Sequence, residues 1–169
     1  MDDIIILNQA SPEFSMSGVL VAAGGAATIS RGTPTKAADA RNASPWTGAV
    51  VPMVDGDGTT AQFFTGIAKS ISTDTASAAG SVDLWIPLPG YIYAAKAKTA
   101  STFDTAAEVQ AAYGKPVFFD LTSTTWSVDV GATTDKANCV VIVGGDYQTQ
   151  TVWFYYRPCG TMLDWAVSA

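Results

Sequence analysis

Gln62–Thr99, QFFTGIAKSISTDTASAAGSVDLWIPLPGYIYAAKAKT, reads as three short β-strands with turn chemistry between them. In the first, Phe63, Ile67 and Ile71 fall on one face, with Thr65 and Lys69 between them. That i, i+4 spacing also suits a helix, but Gly66 and the Ser/Thr-rich flanks favour a strand. Thr73 to Gly80 is a loop. Val82, Leu84, Ile86 and Leu88 then alternate with Ser81, Asp83, Trp85 and Pro87, the pattern of a half-buried strand. Pro87 and Pro89 end it. Tyr91 to Thr99 is the third strand, with Tyr91 and Tyr93 on one face and Lys96 and Lys98 on the other.

Upstream, residues 1–17 read as an extended arm. Its patch Ile4, Ile5, Ile6 and Leu7 is β-prone and costly to leave in water, so it docks. An edge strand of the chain's own sheet is favoured slightly over an arm that pairs with a neighbouring subunit. Gly18–Ser30 suggests a hairpin around Gly24-Gly25. These glycines lack the spacing and the Lys-Ser/Thr of a phosphate cradle. Arg31–Trp46, RGTPTKAADARNASPW, has no period-2 alternation and reads as a long surface loop. Ala49–Met53 is a short strand whose Pro52 marks an edge or bulge. Asp55-Gly56-Asp57-Gly58 reads as a plain turn rather than a calcium loop, because no third ligand and no position-12 Glu follow.

Downstream, Thr102–Gly114 is the one convincing helix. Asp104 or Thr105 caps it, Glu108 stands where a capping box from Thr105 needs it, and Gly114 stops it. Val109, Ala112 and Tyr113 form its apolar stripe. Val117–Leu121 and Trp126–Val130 form a hairpin around residues 122–125. Asn138–Val143 and Tyr147–Arg157 form another around Gly144-Gly145-Asp146. In VWFYYR both faces are apolar or aromatic, which predicts a strand covered on two sides, either within the core or by a partner. The tail residues Met162, Leu163, Trp165 and Val167 are apolar and predict docking.

Many short strands with Gly/Asp turns predict an all-β fold: a compact β-barrel or sandwich of short antiparallel strands, one short helix and an extended N-terminal arm. The arm, hairpin and long loop occupy residues 1–48. The barrel or sandwich domain occupies residues 49–169, with its helix near 104–113.

Composition narrows function. The 169 residues carry a net charge of −6, and charged residues are 14% against a norm of about 25%. Lys and Arg are scattered, so the basic stripe of a nucleic-acid binder is missing, and an anionic membrane surface is equally disfavoured. There is no histidine, the usual proton shuttle near neutral pH and the commonest metal ligand. No GxSxG elbow or metal-ligand spacing occurs, so the reading is non-enzymatic, without cofactor or metal. Asp83, Asp120 and Asp129 lie on the polar side of strands; paired carboxylates serve glycosidases, but solvated strand residues are the simpler account. Trp85 and Trp153 are candidate sugar-stacking platforms, although aromatics are also ordinary core material. Cys139 reads as a small buried hydrophobe, and a bridge to Cys159 stays open. The acidic start, MDDIIILNQ, and the lack of any long apolar run predict a soluble chain without an ordinary secretory signal.

One resemblance rests on the opening stretch. Gly66-Ile67-Ala68, a Thr/Ala loop with Ala79-Gly80, then Val82-Asp83-Leu84-Trp85 and a turn at Gly90 resemble the small β-barrel module of tailed-bacteriophage capsid decoration, or cement, proteins. AEVQAAYGKPVFFDL and TTWSVDV resemble the same group, and the likeness covers about residues 50–143. Pro87-Leu88-Pro89 departs from it. The resemblance implies paired strands in a compact barrel and a virion protein on the capsid surface. Its partner would be the major capsid protein, bound at junctions between subunits, and many such proteins are homotrimers or other homo-oligomers. The capsid-facing candidates are Ile4, Ile5, Ile6 and Leu7 of the arm and Arg31, Lys36, Arg41 and Trp46 of the long loop, segments with no evident internal role. A carbohydrate- or receptor-binding module of a phage fibre or surface complex is the alternative.

Overall fold

The computed structural model describes residues 4–7, 15–22, 29–38, 45, 47–54, 64–86, 88, 90–131 and 140–156. Outside the described residues lie the Gly24-Gly25 turn, the Asp55–Gly58 turn, Phe63, Pro87, Pro89, both cysteines and the apolar tail residues.

Among the described residues the chain is all-β with one short α-helix. Its strands, in order, are β1 (Ile5–Ile6), β2 (Ser15–Val21), β3 (Pro34–Ala37), β4 (Val50–Pro52), β5 (Phe64–Ala68), β6 (Gly80–Trp85), β7 (Tyr93–Lys96), β8 (Pro116–Thr122), β9 (Thr125–Asp129), β10 (Val140–Asp146) and β11 (Thr151–Tyr156). Helix α1 spans Ala106–Ala112 between β7 and β8. Five strands close a small barrel in the order β2-β4-β3-β5-β6, and six form a second sheet in the order β1-β7-β11-β10-β8-β9. β2 and β3, which precede residue 49, thus pair with β4, β5 and β6, which follow it.

The small barrel is antiparallel except where Val21 of β2 meets Val50 of β4 in parallel. Its interior holds Val21, Ile29, Val50, Ala68, Val82 and Leu84. β6 buries Val82 and Leu84 as its alternation predicts, but Trp85 is buried as well. Trp85 faces the other way, into the larger core that the barrel shares with the six-stranded sheet. β5 does the same through a bulge. Gly66 pairs with Thr35 and Phe64 with Lys36, so Thr65 is the extra residue and the side-chain parity shifts. Phe64 and Ile67, three apart, therefore both enter the shared core. The strand ends at Ala68, and Ile71 is 65% exposed rather than on the inner face with Ile67.

The long loop expected over 31–46 contains a strand. β3 lies between β4 and β5 and is mostly buried. Its sequence, PTKA, lacks alternation because a polar residue sits inside. The Thr35 hydroxyl is 2.7 Å from the Thr65 hydroxyl and donates to the Gly66 carbonyl at 2.9 Å. A buried hydroxyl with partners costs little. Pro34 occupies the first strand position, where its missing N–H is tolerated. Of the hairpin expected over 18–30, residues 23–28 lie outside the described residues; its first strand falls in β2, which pairs with β6 and β4.

The larger core is aromatic. Phe64 stacks on Tyr156 with centroids 4.1 Å apart, Tyr93 meets Tyr156 edge-on at 4.7 Å, and Phe119 meets Phe154 edge-on at 5.6 Å. Such offset and edge-to-face pairs are the favoured ring geometries. β11 buries Val152, Phe154 and Tyr156, but its other face is open: Trp153 is 39% exposed and Tyr155 half-buried, so the strand is covered on one side. The β10–β11 turn falls at residues 147–150, later than expected, because Gly144 and Gly145 are within β10. Gly145 has no room for a Cβ, which would collide with the Phe103 ring and the Thr151 carbonyl.

Helix α1 starts at the expected cap. Thr105 Oγ1 accepts the Glu108 N–H, and the Glu108 carboxylate accepts the Thr105 N–H at 3.0 Å, a complete capping box. Gly114 follows at φ +77, the left-handed stop. Ala112 is buried and Val109 packs on the core, but Tyr113 is 69% exposed and leaves the stripe.

Candidate functional site

β1 places the arm patch. Ile5 pairs with Ala94 and Ile6 with Tyr93, making the patch an edge strand of the chain's own sheet. The Leu7 N–H continues it by donating to the Ile92 carbonyl at 2.8 Å. Alternation then divides the residues. Ile4 is fully buried in the shared core, which removes it as a surface candidate, while Ile5 and Leu7 are exposed.

Register carries that outer face across the sheet. Ile5 opposes Ala94, Ala94 opposes Trp153, and Trp153 opposes Gly144. Without a side chain, Gly144 leaves its backbone against the Trp153 ring; a Cβ there would lie 3.4 Å from Trp153 Cε3. Two residues along β11, Tyr155 opposes Val141, which opposes Pro116. These three line a shallow cleft of about 450 Å³ together with Tyr113, Gly114 and Val143. No side chain lining the cleft is charged. The outer face thus presents isolated large apolar groups: Ile5, Leu7, Trp153 and Tyr113.

The loop candidates sit elsewhere. Arg31 is exposed, with its guanidinium 5.7 Å from the centroid of the Trp85 ring, a cation–π contact. Lys36 is half-buried on β3. Arg41 and Trp46 lie outside the described residues. The sequence candidates are therefore not gathered in one place: Ile5 and Leu7 belong to the six-stranded sheet, Arg31 and Lys36 to the barrel side. Tyr113 and Tyr155 were missed because α1 and β11 looked like core elements throughout.

The strand carboxylates all have structural partners. Asp83 Oδ1 accepts the N–H of Gly18 at 2.9 Å, where β2 is bulged and Gly18 takes φ +67. Asp120 and Asp129 both bind Lys98, at 2.7 and 3.0 Å. Burial pushes the Asp120 carboxyl up, but hydrogen bonds from Lys98 and Thr122 outweigh it and hold it below the usual carboxylate range. A depressed carboxyl is the opposite of what a general acid needs. Of the two tryptophan platforms, Trp85 is buried and Trp153 is accessible. Among the described residues no cluster of three potential metal ligands occurs, and no helix is long and apolar enough to cross a membrane.

No family model, curated protein or solved structure matches the chain.

Proposed function

We propose that this protein is a non-enzymatic virion structural protein that binds the outside of an assembled capsid, at junctions of major capsid protein subunits, and stabilises it. The observation that carries the reading is the pairing of β5 with β6. The segments that resemble the decoration-protein module, Gly66–Ala68 and Val82–Trp85, are antiparallel neighbours, Ile67 opposite Trp85 and Ala68 opposite Leu84, in a closed five-stranded barrel. The outer face of the second sheet supplies a contact surface, with Ile5, Leu7 and Trp153 as its apolar anchors.

The mechanism is thermodynamic. A protein that binds the assembled shell and not its free subunits shifts assembly by mass action. Contacting two subunits at once raises the effective affinity without new chemistry. Sparse charge keeps the desolvation cost of such a contact low. The test is to mix purified protein with heads that lack decoration and image them: ordered density at subunit junctions supports the reading, and absent or random attachment overturns it.

A second reading is a glycan- or receptor-binding module. The exposed Trp153 ring favours it, because an accessible indole is the usual stacking platform for a sugar face. It predicts binding on a glycan array that is lost in Trp153→Ala and unchanged by capsid addition.

A further inference from the structure

β7 carries two strands on one edge. β11 takes one side of it through four consecutive pairs, Lys96 to Tyr93 against Thr151 to Phe154. On the other side β1 meets Tyr93 and Ala94. Beyond β1, that same side meets β9 at a parallel bridge between Ala97 and Val128, with the Lys98 N–H donated to the Val128 carbonyl at 2.9 Å. The six-stranded sheet thus curls until its last strand touches its second. This closing seam has one bridge, where β7–β11 has four residue pairs and β10–β11 six; the hairpin's other edge is held to β10 by two pairs, Val117 to Val140 and Pro116 to Val141, which form its hinge.

Charge reinforces the seam. Lys98 Nζ lies 2.7 Å from Asp120 Oδ1 on β8 and 3.0 Å from Asp129 Oδ2 on β9. The other Asp120 oxygen accepts the Thr122 hydroxyl at 2.7 Å. The Asp120 side chain is 8% exposed and the Lys98 side chain 38%, so one cation reaches from solvent to a nearly buried anion. Behind it the β8–β9 hairpin lays Phe119, Trp126 and Val128 over the shared core. β8 and β9 stay joined to each other by five residue pairs, which makes the hairpin a unit.

We propose that Lys98 is a latch on the β7–β9 seam, and that the β8–β9 hairpin opens along this seam as one unit while the β7–β11–β10 ladders remain closed. The hairpin is a strap over the aromatic core, and its opening uncovers Phe64, Phe154 and Tyr156. Because Phe119 and Trp126 must leave the core, the open state is minor. It is nevertheless a smaller opening than global unfolding, and regions with few closing contacts open first.

Hydrogen exchange of the intact chain tests this. The reporter is the Lys98 amide, whose acceptor lies across the seam. In rising sub-denaturing guanidinium it should exchange with a smaller denaturant dependence than the β10–β11 ladder amides, since less surface is exposed. Lys98→Met leaves Asp120 without its cation and should speed exchange at residue 98 by about tenfold or more, corrected for intrinsic rate, while ladder amides change less than about twofold. A Lys98 amide sharing the ladder's denaturant dependence overturns the proposal, and so does a variant that speeds both sets equally or neither. Should Lys98→Met fail to fold, the wild-type measurement decides alone.

Discussion

The Lys98 ammonium and the Asp120 carboxylate lie 2.7 Å apart, one half-exposed and the other nearly buried. Hydrogen bonds to Asp120 and then Asp129 hold the Lys98 pKa above its usual value. Asp120 is shifted the other way, below the usual carboxylate range. The lowered Asp120 pKa means that its contribution is complete above the unfolded carboxylate pKa of about 3.9 and is lost as pH falls through the lower folded value. The raised Lys98 pKa means that its contribution is complete below about 10.4 and is lost only at higher pH. The denaturation midpoint should therefore be flat between about pH 5 and 9 with respect to this pair, and fall in stronger acid. Asp120→Asn should cost about 1–3 kcal/mol at pH 7 and flatten the acid limb. Denaturant melts of both proteins at pH 7 and pH 3 check this; parallel losses in acid would remove the pair as its source.

Gly145 is fixed by its neighbours rather than by its backbone angles. A Cβ would meet the Phe103 ring and the Thr151 carbonyl, and the carbonyl belongs to the adjacent strand. Gly145→Ala should destabilise by about 1–3 kcal/mol through overpacking. Gly114→Ala, with open space around it but φ +77, should cost about 1 kcal/mol through backbone strain alone. Adding Phe103→Leu should recover part of the Gly145→Ala loss and none of the Gly114→Ala loss, which thermal melts of the four variants would show.

Gly114 was legible as the helix stop, whereas Gly145, which reads as a turn residue, lies inside β10. The alternation of Val82 and Leu84, the capping box at Thr105 and the hairpin at Thr122–Thr125 are local patterns, and each formed as the residues indicate. β3 was hidden because its buried Thr35 depends on a hydroxyl from Thr65, thirty residues away. The inward turn of Phe64 was hidden by a bulge, which breaks the period-2 rule at one residue. At the surface, the pairing of β1 divides the buried Ile4 from the exposed Ile5 and Leu7. On the outer face Trp153 was legible as a candidate platform, but Tyr155 reads like its inward neighbours Phe154 and Tyr156 until the covered side of β11 is known.

The cap on α1 offers a clean local test. Thr105 Oγ1 accepts the Glu108 N–H and Glu108 answers to the Thr105 and Asp104 N–H groups. The Thr105 hydroxyl first, and then the Asp104 N–H, hold the Glu108 pKa below its usual value. Thr105→Ala should cost about 1 kcal/mol. Because the Glu108 pKa is lowered, its contribution to the cap fades as pH falls through the folded value, so the cost of Thr105→Ala should shrink in acid. A cost that is the same at pH 7 and pH 3 would assign it to helix propensity instead.

Trp153 separates stability from binding. It lies on the open face of β11 against Gly144, while the core-facing Phe154 beside it is fully buried. Phe154→Ala should therefore cost about 3–5 kcal/mol, and Trp153→Ala well under half of that. If the outer face seats on a shell, Trp153→Ala should weaken binding to undecorated heads by about thirtyfold, the scale of a lost interface anchor. Ile5→Asp should act similarly, since Ala94 joins Ile5 to Trp153 across β7 and a charge there must be desolvated on contact. Arg31→Ala, on the barrel side, should leave head binding unchanged. Co-sedimentation with heads, beside thermal melts of the same variants, gives both quantities. Loss of binding in Arg31→Ala with retention in Trp153→Ala and Ile5→Asp would move the contact surface from the six-stranded sheet to the barrel.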